Sequence, residues 1–174
     1  DHNITTGQVY NEVITKERAG KYLGQTVQPI PHVTDEIKRR LKENAKNSGA
    51  EFFLVEIGGT VGDYENILFL EAARQMRREK ELVIYIHVAY LPIPKSLGEM
   101  KTKAVQHSVR ELREIGIQPD FIIGRGDTYL DDVRKRKIAL FCNVNEEDVI
   151  SDPEIENIYK LPLIFEQEKF GDKI

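Results

Sequence analysis

The feature that most constrains this chain is a set of short apolar runs separated by helical patterns. Residues 52–57 read Phe52-Phe53-Leu54-Val55-Glu56-Ile57 and are followed by Gly58-Gly59. Such a continuous run, interrupted by one carboxylate, predicts a parallel strand covered on both faces. A second run, at 82–88, is closed by Pro92 and Pro94. A third, Phe121-Ile122-Ile123, opens after Pro119 and ends at Gly124, and Val149-Ile150 predicts a short fourth. Between them, Thr34-Asp35-Glu36 opens an amphipathic pattern through Ile37, Leu41 and Ala45, which Asn47-Ser48-Gly49 ends. Helical spacing recurs from Ile67 through Arg77, from Val105 to a stop at Gly116, and from Val133 through Phe141. Residues 8–15 also suit a helix, and 20–31 read as a loop or extended crossing. Alternating strands and helices predict an α/β fold, a mainly parallel sheet flanked by helices.

Composition narrows the function. With 174 residues the chain fits one domain or one lobe of a larger protein. Its 40% hydrophobic and 31% charged residues suit a folded domain and exclude collagen-like or wholly disordered chains. A net charge of −4 gives no global basic field for duplex nucleic acid, so no nucleic-acid partner is expected. One cysteine excludes a disulfide framework or a multi-cysteine zinc site within the chain. No apolar run reaches the ~18 residues of a membrane span, and no signal-peptide pattern is visible. The first residue is Asp1 rather than Met, so the chain is read as part of a longer one.

Ligands in open α/β sheets gather at the carboxyl ends of the strands. That rule points to residues 56–65, 92–106 and 124–128. Glu56 has two readings: a strand-end carboxylate binding magnesium near phosphates, or one satisfied by backbone amides with Asp63 as a helix N-cap. The run Gly58-Gly59-Thr60-Val61-Gly62 lets backbone amides approach a ligand closely. Lys101-Thr102-Lys103-Ala104-Val105-Gln106 precedes a helix start, with lysines suited to phosphate and Gln106 able to donate and accept together. The competing reading is a solvated loop with a threonine cap. Cys142 lies among apolar residues and reads as a buried structural thiol. His2, His32, His87 and His107 show no metal-ligand spacing; His87 fits a local hydrogen bond on a buried strand. The basic run at 134–137 reads as a solvated helix face, from which one lysine could reach a phosphate. No Walker A, GxGxxG or serine-hydrolase elbow occurs.

Taken together, several blocks resemble one family. They include Thr5-Thr6-Gly7, Lys16-Glu17-Arg18, Tyr22-Leu23-Gly24, Val27-Gln28-Pro29-Ile30-Pro31-His32 and Glu56-Ile57-Gly58-Gly59-Thr60-Val61-Gly62-Asp63. Further along are Gly98-Glu99-Met100-Lys101-Thr102-Lys103, residues 106–112, Gly116-Ile117-Gln118-Pro119-Asp120 and residues 137–144. The order and number of blocks resemble the synthetase (amidoligase) domain of the CTP synthase family over essentially the whole chain.

That resemblance implies a P-loop-related, dethiobiotin-synthetase-like fold and ATP-dependent amination of UTP to CTP. ATP phosphorylates uracil O4, and ammonia then displaces phosphate at C4. The ammonia comes from glutamine in a separate glutamine amidotransferase domain, with Mg2+ as cofactor, CTP as feedback inhibitor and GTP as activator. It further implies a cytoplasmic, allosteric homotetramer. By the same resemblance Glu56 is a magnesium ligand, and Asp63, Tyr64 and Glu65 are allosteric CTP contacts. Lys101, Thr102, Lys103, Ala104, Val105 and Gln106 bind UTP or inhibitory CTP, with Lys137 as a further nucleotide contact. Pro153, Glu154 and Ile155 lie beside the ATP adenine, and His32 lies on the ammonia route. Lys101, Lys103 and His32 are thereby the expected catalytic residues. The chain departs from the family where KTKAVQ replaces the usual KTKPTQ, and at Tyr64 and Leu68. Residues 1–174 are then a partial synthetase domain, with the phosphate loop upstream and the glutaminase downstream. Bare, this stretch is expected to make no CTP. The competing expectations are a silent nucleotide-binding or assembly module, or another P-loop-related ligase.

Overall fold

The computed structural model describes residues 3–174; His2 lies outside the described residues. The chain divides into two compact units, residues 1–83 and 84–174.

The first unit is helical. Helix α1 spans Thr6–Arg18, α2 spans Thr34–Ser48 and α3 spans Ile67–Arg78. Thr5 and Gln8 form a reciprocal capping box at the start of α1, with Thr5 Oγ1 accepting from the Gln8 N–H and Gln8 Oε1 from the Thr5 N–H. Gly49, at φ 61°, ends α2 in the left-handed conformation that only glycine adopts without strain. The core of this unit is Val9, Val13, Val33, Ile37 and Ala72.

An ionic cluster lies against that core. The Glu36 side chain is only 3% exposed and accepts from Lys16 Nζ at 2.8 Å, Arg40 Nε at 2.8 Å and Arg39 at 2.6 and 2.9 Å. Burial raises the Glu36 pKa, but the bonds from Arg39, Lys16 and Arg40 outweigh it and bring it down to about 2.

The second unit carries the sheet. Strands β1 (Ile86–Tyr90), β2 (Phe121–Gly126) and β3 (Val149–Pro153) are all parallel, in the order β1-β2-β3. Ile86 pairs with Phe121, and Ile122 with Val149. Helix α4 (Lys103–Ile115) follows β1, α5 (Asp132–Cys142) follows β2, and the short α6 (Leu161–Gln167) follows β3. Parallel strands need such crossovers. One sheet face packs through Ala89, Ile122 and Val149 onto Val105, Val109, Ile138 and Cys142. The other carries Phe121, Ile123 and Ile150 beneath Phe170. The α/β expectation is met. Among the described residues, no helix is long and apolar enough to cross a membrane.

Three sequence expectations are corrected. Residues 52–57 do not form a strand, and Phe52, Leu54 and Glu56 are exposed. A strand obtains its backbone hydrogen bonds from a neighbour, and among the described residues no strand is paired with this segment. The second strand spans 86–90 rather than 82–88, because its partner begins at Phe121 opposite Ile86. Asp63 does not cap α3; Asn66 occupies the N-cap position.

Candidate functional site

In the first unit the glycine-rich segment folds upon itself. The Thr60 N–H donates to Asp63 Oδ2 at 2.9 Å, and Asn66 Nδ2 donates to the carbonyls of Gly58 at 3.2 Å and Thr60 at 2.8 Å. Gly59 has φ 92°, a conformation that favours glycine, and a Cβ there would crowd Asn66 Nδ2 at 3.1 Å. Asn66 is buried at 4% exposure and organises this turn, a role sequence reasoning missed. Its only sequence signal is an asparagine directly before an apolar helical pattern. Replacing Asn66 by Ala removes the donor to two carbonyls. The expected cost is about 1–3 kcal/mol, read from the urea midpoint, with faster amide exchange confined to residues 58–66.

The Glu56 premise changes. Its side chain is exposed, so the cost of burying a carboxylate no longer argues for a cation. Among the described residues it forms no ion pair. Tyr64, 93% exposed, and Glu65 project from the turn.

His32 is half-buried in the same unit. Its Nδ1 accepts from the Gln28 N–H at 3.0 Å, which places the proton of the neutral ring on Nε2. Its ring meets Tyr22 edge to face at 4.8 Å. Lys16, Asp35, Glu36 and Arg39 line the same small cavity.

In the second unit, the segments following β1, β2 and β3 share the carboxyl end of the sheet, where α/β ligands gather. The Leu91 N–H donates to the Arg125 carbonyl at 2.7 Å, and the Glu154 N–H to the Gly126 carbonyl at 2.8 Å. This end therefore carries the 91–102 loop together with buried Pro153, exposed Glu154 and half-buried Ile155. Arg125 and Asp152, paired in register here, were not singled out from sequence. Burial raises the Asp152 pKa, an effect that Arg125 partly offsets. An arginine between two glycines directly after an apolar strand was the available signal.

The lysine segment is not a loosely solvated loop. Thr102 is buried, and its Oγ1 accepts from Gln106 Nε2 at 3.1 Å rather than capping α4. Val105 is wholly buried, so this departure from the family pattern places a methyl-bearing side chain in the core. Lys103 and Ala104 are exposed at the first turn of α4, and Lys101 is half-exposed. Lys101 pairs with Glu99. The Glu99 carboxyl is held below its usual range, first by Lys101 and further by Arg134 and Lys137. Arg134 reaches this loop from α5, its Nε donating to the Met100 carbonyl at 3.2 Å, and Lys137 is exposed on the same helix.

The remaining candidates are structural. Cys142 is fully buried, and burial pushes its thiol up to about 11. His87 exchanges a 2.8 Å hydrogen bond with Ser108 Oγ, and burial lowers its pKa. His107 is exposed.

The family described as CTP synthase N-terminus matches residues 1–174. A CTP synthase of Pyrococcus furiosus is 57% identical over 173 residues, covering 98% of this chain and 32% of the relative. One from Archaeoglobus fulgidus is 58% identical over 174 residues, covering 99% and 32%. One from Saccharolobus solfataricus is 55% identical over 175 residues, covering 99% and 33%. The chain thus spans about a third of the length of these curated relatives. The match runs from end to end, through both the glycine-rich turn and the lysine segment, and the chain belongs to the CTP synthase N-terminus family.

Proposed function

We propose that the protein carrying this chain aminates UTP to CTP at the expense of ATP. The observation that carries the reading is the lysine segment. It is seated on buried Thr102 and Val105 at the carboxyl end of a parallel sheet, with Lys101 half-exposed, Lys103 exposed and Lys137 exposed on α5. A pre-ordered set of ammonium groups at a helix start suits a nucleotide polyphosphate. Lys101, Thr102, Lys103, Ala104, Val105, Gln106 and Lys137 hold the uridine nucleotide, as substrate or as inhibitory CTP. The ATP adenine lies beside Pro153, Glu154 and Ile155. The γ-phosphoryl group moves to uracil O4; ammonia adds at C4, and phosphate leaves from the same carbon. Lys101 and Lys103 balance the charge of the phosphates, and His32 lines the ammonia route. Asp63, Tyr64 and Glu65 contact CTP as an allosteric ligand.

Magnesium fits this chain in a limited way. Among the described residues no three His, Cys, Asp or Glu side chains converge on a common point. The exposed Glu56 carboxylate therefore suits an ion brought in by nucleotide phosphates, for which one or two carboxylates suffice. When bound, Mg2+ neutralises charge on the transferred phosphoryl group. The glutamine amidotransferase activity, GTP activation, homotetrameric assembly and cytoplasmic location belong to the same proposal for the whole protein.

Lys103→Ala tests the assignment. In the full-length protein, calorimetric titration is expected to show UTP binding weakened roughly ten- to a hundredfold, with ATP binding unchanged. Unchanged UTP affinity would remove the lysine segment from the site.

A further inference from the structure

One peptide group in the second unit is fixed from two sides. The Lys101 N–H donates to the Pro92 carbonyl at 2.9 Å. The Met100 carbonyl, in the same peptide plane, accepts from Arg134 Nε at 3.2 Å. Holding both polar ends of one peptide sets its plane and, with it, the position of the Lys101 Cα from which the side chain leaves the backbone. The Met100 side chain is buried at 7%, and its Cε lies 3.1 Å from where a Cβ on Gly126 would stand, which seats the loop on the end of β2. Arg134 is itself held: its backbone N–H donates to Asp131 Oδ1 at 2.8 Å, and its guanidinium pairs with the other Asp131 oxygen. Its side chain is 24% exposed, whereas Asp131 is 52% exposed.

We infer that Arg134 is a positioning residue for nucleotide recognition. It ties α5, the helix that also carries Lys137, to the Lys101 peptide, and so fixes the Lys101 backbone relative to that helix. The inference rests on the proposed role of the lysine segment. Arginine suits the task because its planar fork engages Asp131 with one nitrogen and the Met100 carbonyl with another. A lysine, a compact point charge on a flexible stem, keeps the charge but not that pair of directions. Small displacements of a positioned charged group cost one to two decades in rate or binding.

The test uses Arg134→Lys and Arg134→Met in the full-length protein, with Lys103→Ala beside them. Both Arg134 variants are expected to raise KM for UTP by about tenfold, far more than they lower kcat, with KM for ATP unaffected. Amide exchange at Lys101 is expected to accelerate in both. A wild-type KM for UTP in Arg134→Lys would show that charge alone matters, and would overturn positioning. So would parallel losses for UTP and ATP that track a lower Tm, or unchanged exchange at Lys101. Should Lys103→Ala also leave UTP binding untouched, the reading of the segment fails; should only the Arg134 variants behave as wild type, this inference fails alone.

Discussion

Glu36→Gln is expected to lower stability at neutral pH by about 3 kcal/mol, roughly a hundredfold in the folding equilibrium. The substitution keeps the shape and removes a buried charge that Lys16, Arg39 and Arg40 all engage. The lower end of the usual range applies, because Lys16 keeps Glu12 at 3.2 Å and Arg39 keeps Glu43 at 2.6 Å. The pH dependence has a definite sign. The folded-state pKa of Glu36 is depressed to about 2 from an ordinary 4.5. Its contribution is therefore complete above 4.5 and is lost as pH falls towards 2. Wild type and variant should converge across that window. The chain has no tryptophan, so urea unfolding followed by far-ultraviolet circular dichroism is the suitable measurement. A constant difference from pH 7 to pH 2 would show that Glu36 acts through packing rather than charge.

Ile122→Ala is expected to cost about 2–5 kcal/mol, through the second unit. Ile122 is fully buried on the central strand, between His87 and Val149 in register, and clusters with Val105 and Ile138. Truncation removes three carbons from a site whose neighbours belong to two strands and two helices, which limits collapse into the space. Hydrogen exchange should accelerate across β1, β2 and β3 while α1 and α2 keep wild-type protection. Glu36→Gln should give the reverse pattern. Equal loosening of both units by either substitution would show that they unfold as one.

These two residues also show what was legible in advance. The pattern Ile37, Leu41 and Ala45 defined α2, and its glycine stop at Gly49 is where the backbone turns left-handed. Local spacing and capping chemistry act within a few residues, so one sequence suffices to read them. The same holds for β2, for Gly116 at the end of α4, and for the buried, inert Cys142.

The lysine segment was legible as residue types but not as a structure. Lys101, Lys103 and Lys137 are apparent from their order in the chain. That Thr102 is buried and bonds Gln106 instead of capping α4 depends on how the chain packs around it, which the order of residues does not show. Arg134 read as one member of a solvated basic run. Only the crossover from β2 into α5 brings it to the carbonyl of Met100, thirty-four residues earlier in the chain.

The run at 52–57 marks the boundary most sharply. Its composition is that of a strand, apolar and rich in residues of high β propensity. Whether such a segment becomes a strand depends on a neighbour at hydrogen-bonding distance, and strand pairing joins residues far apart in sequence. Phe121 through Ile123 has β1 and β3 on either side and is buried; Phe52 through Glu56 pairs with no strand among the described residues and is exposed. Helices, turns, caps and the alternation that makes this an α/β chain could be read from residue order, because the interactions behind them are short-range. Which apolar runs are buried, and which charged side chains meet, was decided by tertiary structure, because both require partners that the order of residues does not place.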